Sequence, residues 1–310
     1  MPLRCGIDTG GTFTDLVGLN ESTGDLVVSK WPSAPRNPLE SIVGVVEESG
    51  ISSEAISSLV LGTTVAINAL IQRRGARVIY VTTEDVLHIQ RINRRYHCSL
   101  EWTKPEPFVE RRDCLGVPER VDGKGEVVVP LVSKALDELY EKIEERLTEH
   151  RGRDVAIAVN LLFSYLSPEH ERRLSEGLRS RFPAVPVSVS HEVAPIWREF
   201  ERGSTVVSDA YVKPILRRHL TAVRRGLDDL GLRCPWAVMK SGGGQATPAV
   251  AEEKPVDILL SGLSGGLIGG EYFGELAGEE SLGDRKPRPK SNREEDLSLR
   301  KVGTIGGQAR

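Results

Sequence analysis

The chain has 310 residues, of which 39% are hydrophobic and 27% charged, and its formal net charge is −3. This length and composition are typical of a globular protein with one or two substantial cores. The charge gives no electrostatic reason to expect nucleic-acid binding, and no apolar run reaches the roughly 18 residues that cross a bilayer. The four cysteines are scattered, without the close pairs of a zinc site or a disulfide framework. We therefore expect a cytoplasmic protein with reduced thiols that binds neither nucleic acid nor membrane.

Strand and helix patterns alternate along the chain, which predicts an α/β fold with a mixed sheet covered by helices. Runs of β-branched and apolar residues predict the strands, over residues 3–8, 13–19, 25–31, 58–62, 77–83, 154–163, 185–190 and 236–240. Cap signals and apolar faces predict the helices, over residues 38–50, 64–75, 133–150, from 168 onward, and 203–231 with an interruption at Pro214. Residues 91–125 show no regular pattern. Residues 258–275 predict a strand, a glycine turn and a glycine-rich helix.

The most informative segment is GIDTGGTFTDLVGLN, residues 6–20. A P-loop needs Gly-Lys-Ser/Thr, but no lysine lies between Arg4 and Lys30. A Rossmann turn opens directly into a helix, whereas β-forming residues follow the glycines in this segment. The segment therefore predicts two strands joined by a hairpin at Gly10 and Gly11.

A hairpin tip with two glycines is able to aim backbone N–H groups at an anion, because glycine permits a positive φ and a close approach. Thr12 and Thr14 add hydroxyl donors. Asp8, at the end of the first strand, is negatively charged and would repel a phosphate. It can stabilise a bound phosphate only if Mg²⁺ lies between the two anions, with water between Asp8 and the ion. The alternative is a plain glycine hairpin whose acidic side chains are solvated.

Two further parts of the chain are candidates for ligand contact. Thr63 and Thr64 stand between a strand and a helix, where capping of the helix is a sufficient reason for one of the two hydroxyls. The other candidates are glycines that follow a strand or precede a helix, namely Gly242–Gly244 with Gly243 at the centre, and Gly262, Gly265 and Gly266. A slack connection explains the first set equally well, and close helix packing explains the second.

The opening motif GIDTGGTFTDLV resembles that of the hydantoinase A / 5-oxoprolinase family, which includes subunits of acetone and acetophenone carboxylases. The resemblance continues in family order through LGTTVAINALIQRRGARV, VPERVDGKGEVVVPL, EVAPIWREFERGSTVVSDAYVKPIL, MKSGGG and LLSGLSGG. It spans residues 4 to about 275. It implies an actin/hexokinase/Hsp70-like (ribonuclease H-like) ATP-binding fold, in which two related lobes hold ATP and Mg²⁺ in a cleft.

The resemblance also implies an activity, the ATP-dependent hydrolysis of a cyclic amide such as a hydantoin or 5-oxoproline. Phosphorylation of the amide oxygen would make ring opening possible. Asp8 would organise Mg²⁺, and Asp15 is a second catalytic candidate. The candidate cofactor-binding residues are Gly10, Gly11, Thr12, Thr14, Thr63, Thr64, Gly243, Gly265 and Gly266. A carboxylase subunit acting on a ketone, and a sugar or acetate kinase of the same fold, are alternatives.

The sequence departs from the family pattern at four positions. Leu61 replaces the His before Gly-Thr-Thr, Asp209 replaces an Asn, and Leu263 with Ser264 replaces Pro-Ala. The sequence also lacks a second DxGGTxTD hairpin and an adenosine-binding glycine segment.

These absences predict an incomplete member of the family. We expect residues 1–190 to form the N-terminal domain with the first hairpin, and residues 191–275 to begin the hydantoinase A core domain. Residues 276–310 have the composition of a disordered tail that is unrelated to the family. The chain would then be the N-terminal part of a truncated hydrolase, or a non-catalytic fragment or split-enzyme subunit that needs a second chain with the missing lobe.

Overall fold

The computed structural model describes residues 2–34, 37–87 and 106–276. Residues 91–105 of the segment predicted to be irregular, and the tail predicted beyond residue 276, lie outside these ranges. The chain divides into two compact units, Met1–Leu267 and Ile268–Arg310. Of the second unit, only residues 268–276 at the end of one helix are described.

The strands and helices follow the predicted alternation. In chain order the strands are β1 (Leu3–Thr9), β2 (Phe13–Asn20), β3 (Leu26–Pro32), β4 (Ile56–Thr63), β5 (Arg77–Thr83), β6 (Cys114–Val117), β7 (Arg120–Val121), β8 (Val127–Val129), β9 (Val155–Asn160), β10 (Val187–Val189), β11 (Trp236–Met239) and β12 (Gln245–Ala246). The helices are α1 (Pro38–Glu48), α2 (Val65–Ile71), α3 (Ser133–Glu149), α4 (Glu169–Arg181), α5 (Ser190–Val193), α6 (Glu199–Asp229), α7 (Pro248–Glu253) and α8 (Ser261–Leu276). None of these helices is long and apolar enough to cross a membrane.

The first sheet has six strands in the order β12-β11-β4-β1-β2-β3. β1, β4 and β11 run parallel, whereas β2, β3 and β12 pair antiparallel with their neighbours. Residues from both sides of position 190 therefore build one sheet. This mixed sheet with flanking helices confirms the predicted fold class.

The second sheet has four parallel strands in the order β10-β9-β5-β6. α3 and α4 cover one face with Leu139, Ile143 and Leu174, and α2 and α6 cover the other. Parallel strands that are buried on both faces consist of nearly continuous apolar runs, as in the VAIAVN of β9. β7 and β8 form a separate hairpin.

Helix α6 packs against both sheets. Its N-terminal half lies on the second sheet through Val206 and Ala210, and its C-terminal half lies on the first through Val223 and Leu227. The helix continues through Pro214, so the predicted interruption at this residue is wrong. The two sheets therefore pack against the same helix.

Besides the short elements β7, β8, β12, α5 and α7, which the sequence did not predict, the fold differs from the prediction in two places. The strand expected near residue 258 is a 3-10 turn, Pro255–Ile258, which leads into α8. Periodicity alone does not separate a short apolar strand from a buried helical turn. β6 lies within residues 91–125, where no regular pattern was found, because its four residues offer too short a run to be recognised.

Candidate functional site

The residues predicted to bind phosphate meet at one edge of the first sheet. Parallel strands β1 and β4 end side by side there, with Asp8 opposite Gly62 and Thr9 opposite Thr63. The glycine turn joins β1 to β2 at the same edge, and α2 starts directly after β4. We call residues 8–14 together with residues 62–64 the hairpin edge.

The carboxylate of Asp8 is exposed at this edge and has no hydrogen-bond or ion-pair partner among the described residues. A Cβ atom at Gly62 would lie only 2.7 Å from Asp8 Oδ1, so this glycine leaves room for the carboxylate. Desolvation raises the pKa of Asp8, and the nearby Asp15 raises it further. A bound cation would stabilise the ionised form.

The donor set fits Mg²⁺ held jointly with a phosphate, and does not fit a metal held by protein ligands alone. The described ranges contain no group of three or more His, Cys, Asp and Glu side chains that could hold a metal ion. Mg²⁺ in phosphate sites keeps several waters and takes only one or two carboxylates. Asp8 meets that requirement, and its predicted contact through water remains a prediction.

The two glycines at the hairpin tip matter because they lack a side chain, and not because of their backbone conformation. Neither Gly10 nor Gly11 has a positive φ, so that part of the predicted reason for glycine is wrong. The N–H of Gly10 donates to Phe13 O at 3.1 Å and closes the turn. A Cβ at Gly11 would meet nothing within 4 Å. Gly11 is therefore the glycine with room for a ligand.

The two threonines of the motif differ in exposure. Thr12 is exposed, whereas Thr14 is fully buried and its Oγ1 lies 3.0 Å from Ser33 Oγ. The hydroxyl of Thr14 therefore connects β2 to the segment after β3 and does not face a ligand. The prediction of two surface hydroxyl donors is corrected to one, Thr12.

Asp15 lies directly opposite Asp8 on the neighbouring strand. Its Oδ1 accepts a hydrogen bond from Lys30 Nζ at 2.7 Å, and both side chains are about half exposed. Lys30 therefore compensates the charge of Asp15 and leaves Asp8 as the uncompensated carboxylate of the pair. This arrangement favours Asp8 over Asp15 as a ligand for a cation.

Thr63 and Thr64 have different partners. The buried Oγ1 of Thr63 lies 3.3 Å from Nε2 of His219 and accepts the N–H of Val65 at 3.3 Å. Thr64 donates its hydroxyl to Thr9 O at 3.2 Å and precedes α2 without a side-chain cap bond. The hydroxyl that receives an N–H of the helix is thus that of Thr63.

His219 is the residue of this site that the sequence reasoning missed. Burial lowers its pKa to about 4, so the imidazole is neutral at physiological pH. It lies on the same face of α6 as the buried residues Leu216, Leu220 and Val223. A histidine on the buried face of an amphipathic helix was the available signal.

The glycines 242–244 form the tight turn between β11 and β12. Gly243 and Gly244 have φ values of 80° and 73°, in the left-handed region that favours glycine. The N–H of Lys240 donates to Gly244 O at 3.1 Å and closes the turn. The hairpin is a sufficient reason for Gly243, and a ligand contact remains a prediction.

Gly265 and Gly266 lie inside α8 and not ahead of its N-terminus, so the predicted geometry for anion contact is wrong. A Cβ at Gly265 would come within 2.9 Å of Met239 Sδ, which makes close packing on β11 the reason for this glycine. The buried Ser261, where α8 begins, donates its hydroxyl to Thr63 O at 3.4 Å. The start of α8 is therefore fixed beside the hairpin edge.

The structure shows how Asp209 is accommodated where the resembled family has Asn. Its Oδ2 lies 3.3 Å from Lys213 Nζ, one helical turn later, and accepts the hydroxyl of Ser188 at 2.7 Å. Its Oδ1 accepts the N–H of Val256 at 2.9 Å. Burial raises the pKa of Asp209, and these three partners oppose that rise.

The strand order of the first sheet and its glycine hairpin define a protein of the actin/hexokinase/Hsp70-like fold class. Residues 4–182 match the hydantoinase/oxoprolinase N-terminal region, and residues 202–282 match the hydantoinase/oxoprolinase domain. The chain belongs to the hydantoinase/oxoprolinase family, which confirms the resemblance seen in its motifs.

Known relatives include subunits of larger enzymes. The acetophenone carboxylase gamma subunit of Aromatoleum aromaticum is 33% identical, over 89% of this chain and 40% of the relative. The nucleotide-free structure of acetone carboxylase has a TM-score of 0.76 at 27% identity, covering 89% of this chain and 41% of that one. The ATP-dependent caprolactamase of Pseudomonas jessenii has a TM-score of 0.72 at 29% identity, covering 87% and 41%. This chain therefore spans about two-fifths of the length of these relatives.

Proposed function

We propose that this chain is the N-terminal, phosphate-binding part of an ATP-dependent enzyme that hydrolyses a cyclic amide of the hydantoin or 5-oxoproline type. Family membership supports the reaction class, and the two solved relatives, acetone carboxylase and caprolactamase, are ATP-dependent enzymes. The observation that carries the proposal is the uncompensated carboxylate of Asp8 beside Gly62, at the end of a glycine hairpin.

Three residues of the hairpin edge are assigned roles. Asp8 would hold Mg²⁺ through water, and the N–H groups of Gly11 and Thr12 with the Thr12 hydroxyl would donate to phosphate oxygens. When bound, ATP would supply a phosphoryl group for the amide oxygen, which would make the ring carbon electrophilic enough for water to add and for the C–N bond to break. Positioning and charge neutralisation are the protein's main contributions to such a transfer.

His219 has a positioning role in this scheme. Its neutral ring fixes the Thr63 hydroxyl at 3.3 Å, at the junction of β4 and α2. Because burial keeps the ring uncharged at neutral pH, His219 acts through the Thr63 hydroxyl and adds no charge to the site.

The substrate is tested with the protein purified from its own cells, together with any chain that it assembles with. ATP hydrolysis is measured with hydantoin, 5-oxoproline, or acetone plus bicarbonate. Stimulation by a cyclic amide is the expected result. Stimulation only by the ketone with bicarbonate would contradict the proposal and place the chain with the carboxylase relatives.

A second proposal is that this chain needs a partner chain for activity. It is favoured by the finding that the chain spans about two-fifths of the relatives' length. The chain would be one portion of the enzyme, active only when a partner chain supplies the remaining lobe. Half of a cleft contacts a nucleotide from one side, so the isolated chain should bind Mg-ATP weakly or not at all. Calorimetric titration of the isolated chain tests this, and micromolar affinity would contradict it.

A further inference from the structure

A second site stands out at the C-terminal edge of the second sheet. There the loop after β9 and the segment between α5 and α6 border an open cleft of about 430 Å³. Ligands of α/β proteins commonly bind outside the carboxyl ends of parallel strands. The residues that line the cleft, here called the aromatic pocket, are Phe163, Tyr165, Trp197, Arg198 and Glu199.

The walls of the aromatic pocket are held in an unusual conformation. Phe163 has a φ of 57° and Arg198 a φ of 77°, values that bulky side chains rarely adopt. Such conformations persist only where the surrounding structure determines them, and they concentrate at binding sites.

Arg202 anchors the backbone two residues before each of these positions. Its side chain is fully buried. It donates to Leu161 O at 2.7 Å, in the loop after β9, and to Ile196 O at 3.0 Å, in the segment between α5 and α6. It also donates to Asn160 Oδ1 at 2.8 Å, at the end of β9. One buried guanidinium thus fixes both walls against the sheet, which gives the pocket its shape before any ligand binds.

The aromatic pocket is separate from the hairpin edge. Arg202 and His219 lie on the same helix, seventeen positions apart, which corresponds to about 25 Å at 1.5 Å per residue. His219 contacts Thr63 at the hairpin edge, whereas Arg202 supports the pocket. One small molecule cannot contact both places, so the pocket would bind a different ligand.

The side chains indicate the chemistry of that ligand. Phe163, Tyr165 and Trp197 offer flat apolar surfaces, and Trp197 is 64% exposed. The carboxylate of Glu199 lies 3.6 Å from Arg202 Nη1, so its charge is directed toward that guanidinium.

Arg198 is the remaining charged group at the rim. It stacks on Trp197 at 4.5 Å, and its ion pair with Glu201 is long, at 3.9 Å, and exposed. Such a pair contributes little stability and is easily exchanged for a better anion. We propose that the aromatic pocket binds a small, flat organic carboxylate, with the ring between the aromatic side chains and the carboxylate on Arg198.

The test is calorimetric titration of the full chain without nucleotide, so that its outcome is independent of the proposed activity. Two matched pairs of probes are used, benzoate with benzamide and 5-oxoproline with 2-pyrrolidinone. Each pair keeps one ring and removes the charge. The carboxylate of at least one pair should bind about tenfold or more tightly than its neutral partner, because the bond to Arg198 is charge-assisted. The pair in which the two affinities differ shows whether the pocket prefers an aromatic ring or a lactam ring.

Two variants locate the site, and a third is the control. Arg198→Gln should reduce the affinity for the carboxylate to that of the neutral partner, and Trp197→Leu should weaken both. Arg172→Gln removes an exposed arginine of α4 and should change nothing. Equal binding of charged and neutral probes, carboxylate binding unaffected by Arg198→Gln, or no saturable binding of any probe would overturn the proposal.

Discussion

Both sheets end in a polar edge, but the two edges differ in how their charges are compensated. At the hairpin edge, the Asp8 carboxylate is exposed and lacks a partner among the described residues. At the edge of the second sheet, Arg202 and Glu171 are fully buried, and each has partners on several sides. The first edge is therefore suited to be completed by a cation and a phosphate. At the second edge the charges are compensated within the chain, and their hydrogen bonds fix the shape of the aromatic pocket.

The largest expected effect comes from breaking the compensated edge. Arg202→Met keeps much of the side-chain volume but removes the donor from the oxygens of Leu161, Ile196 and Asn160, of which those of Leu161 and Asn160 are buried. The free energy of unfolding should fall by about 3–5 kcal/mol, the usual cost of removing one partner from a buried charged network. Urea denaturation measures it. The exposed Arg172→Met should cost no more than about 0.5 kcal/mol, and equal losses in the two variants would contradict the comparison.

A smaller effect is expected from crowding the uncompensated edge. Gly62→Ala places a methyl group 2.7 Å from Asp8 Oδ1, whereas Gly11→Ala meets nothing within 4 Å. Gly62→Ala should cost up to about 1.5 kcal/mol, the cost of moving the Asp8 carboxylate away from its present rotamer, and Gly11→Ala less. Thermal unfolding of both variants provides the measurement. Combining Gly62→Ala with Asp8→Gly should recover most of the loss, and a double variant as unstable as Gly62→Ala alone would show that Asp8 is not the clashing group.

His219 should make stability depend on pH at the hairpin edge. Its folded pKa of about 4 lies below its ordinary value near 6.5, so the unfolded chain binds the proton more tightly. This contribution to the free energy of unfolding is complete above pH 6.5 and is lost as the pH falls through the folded pKa near 4, by about 3 kcal/mol in all. Denaturation of wild type and His219→Gln across this window should show a flatter profile for the variant. Parallel profiles would contradict the low pKa.

The smallest effect on stability is expected from Asp8→Asn. The folded pKa of Asp8 is raised, so its contribution to stability is complete below the unfolded pKa and is lost as the pH rises through the folded value. Asp8→Asn removes this loss, and its melting temperature should be slightly above that of wild type at pH 7. The two proteins should melt alike at acid pH, where both side chains are neutral. Destabilisation by Asp8→Asn at pH 7 would indicate a structural partner for this carboxylate.

Local patterns predicted much of the fold. The alternation around the glycine turn predicted β1 and β2, and the apolar face of residues 133–150 predicted α3 almost to the residue. Both depend on contacts between near neighbours in the chain, which periodicity reports directly. The helical state of residues 261–276 was partly missed, because a glycine-rich apolar run lacks such periodicity.

The site was less predictable because its contacts join distant parts of the chain. Thr63 and His219 are separated by 156 positions, and Arg202 and Leu161 by 41. No local pattern reports such pairs. The motif did place Asp8, Gly11 and Thr12 at one edge, but it did not show that Thr14 faces inward or that the N–H of Gly10 is used in the turn.

The most direct test of the account is ATP hydrolysis with Mg²⁺ by the natively assembled protein, measured for wild type, Asp8→Asn and Asp15→Asn. The account assigns the cation to Asp8 and leaves Asp15 paired with Lys30. Asp8→Asn should lower the rate by about 100-fold or more, the scale on which one lost electrostatic contact acts in catalysis, whereas Asp15→Asn should stay close to wild type. Equal rates for wild type and Asp8→Asn, or a larger loss in Asp15→Asn, would contradict the account.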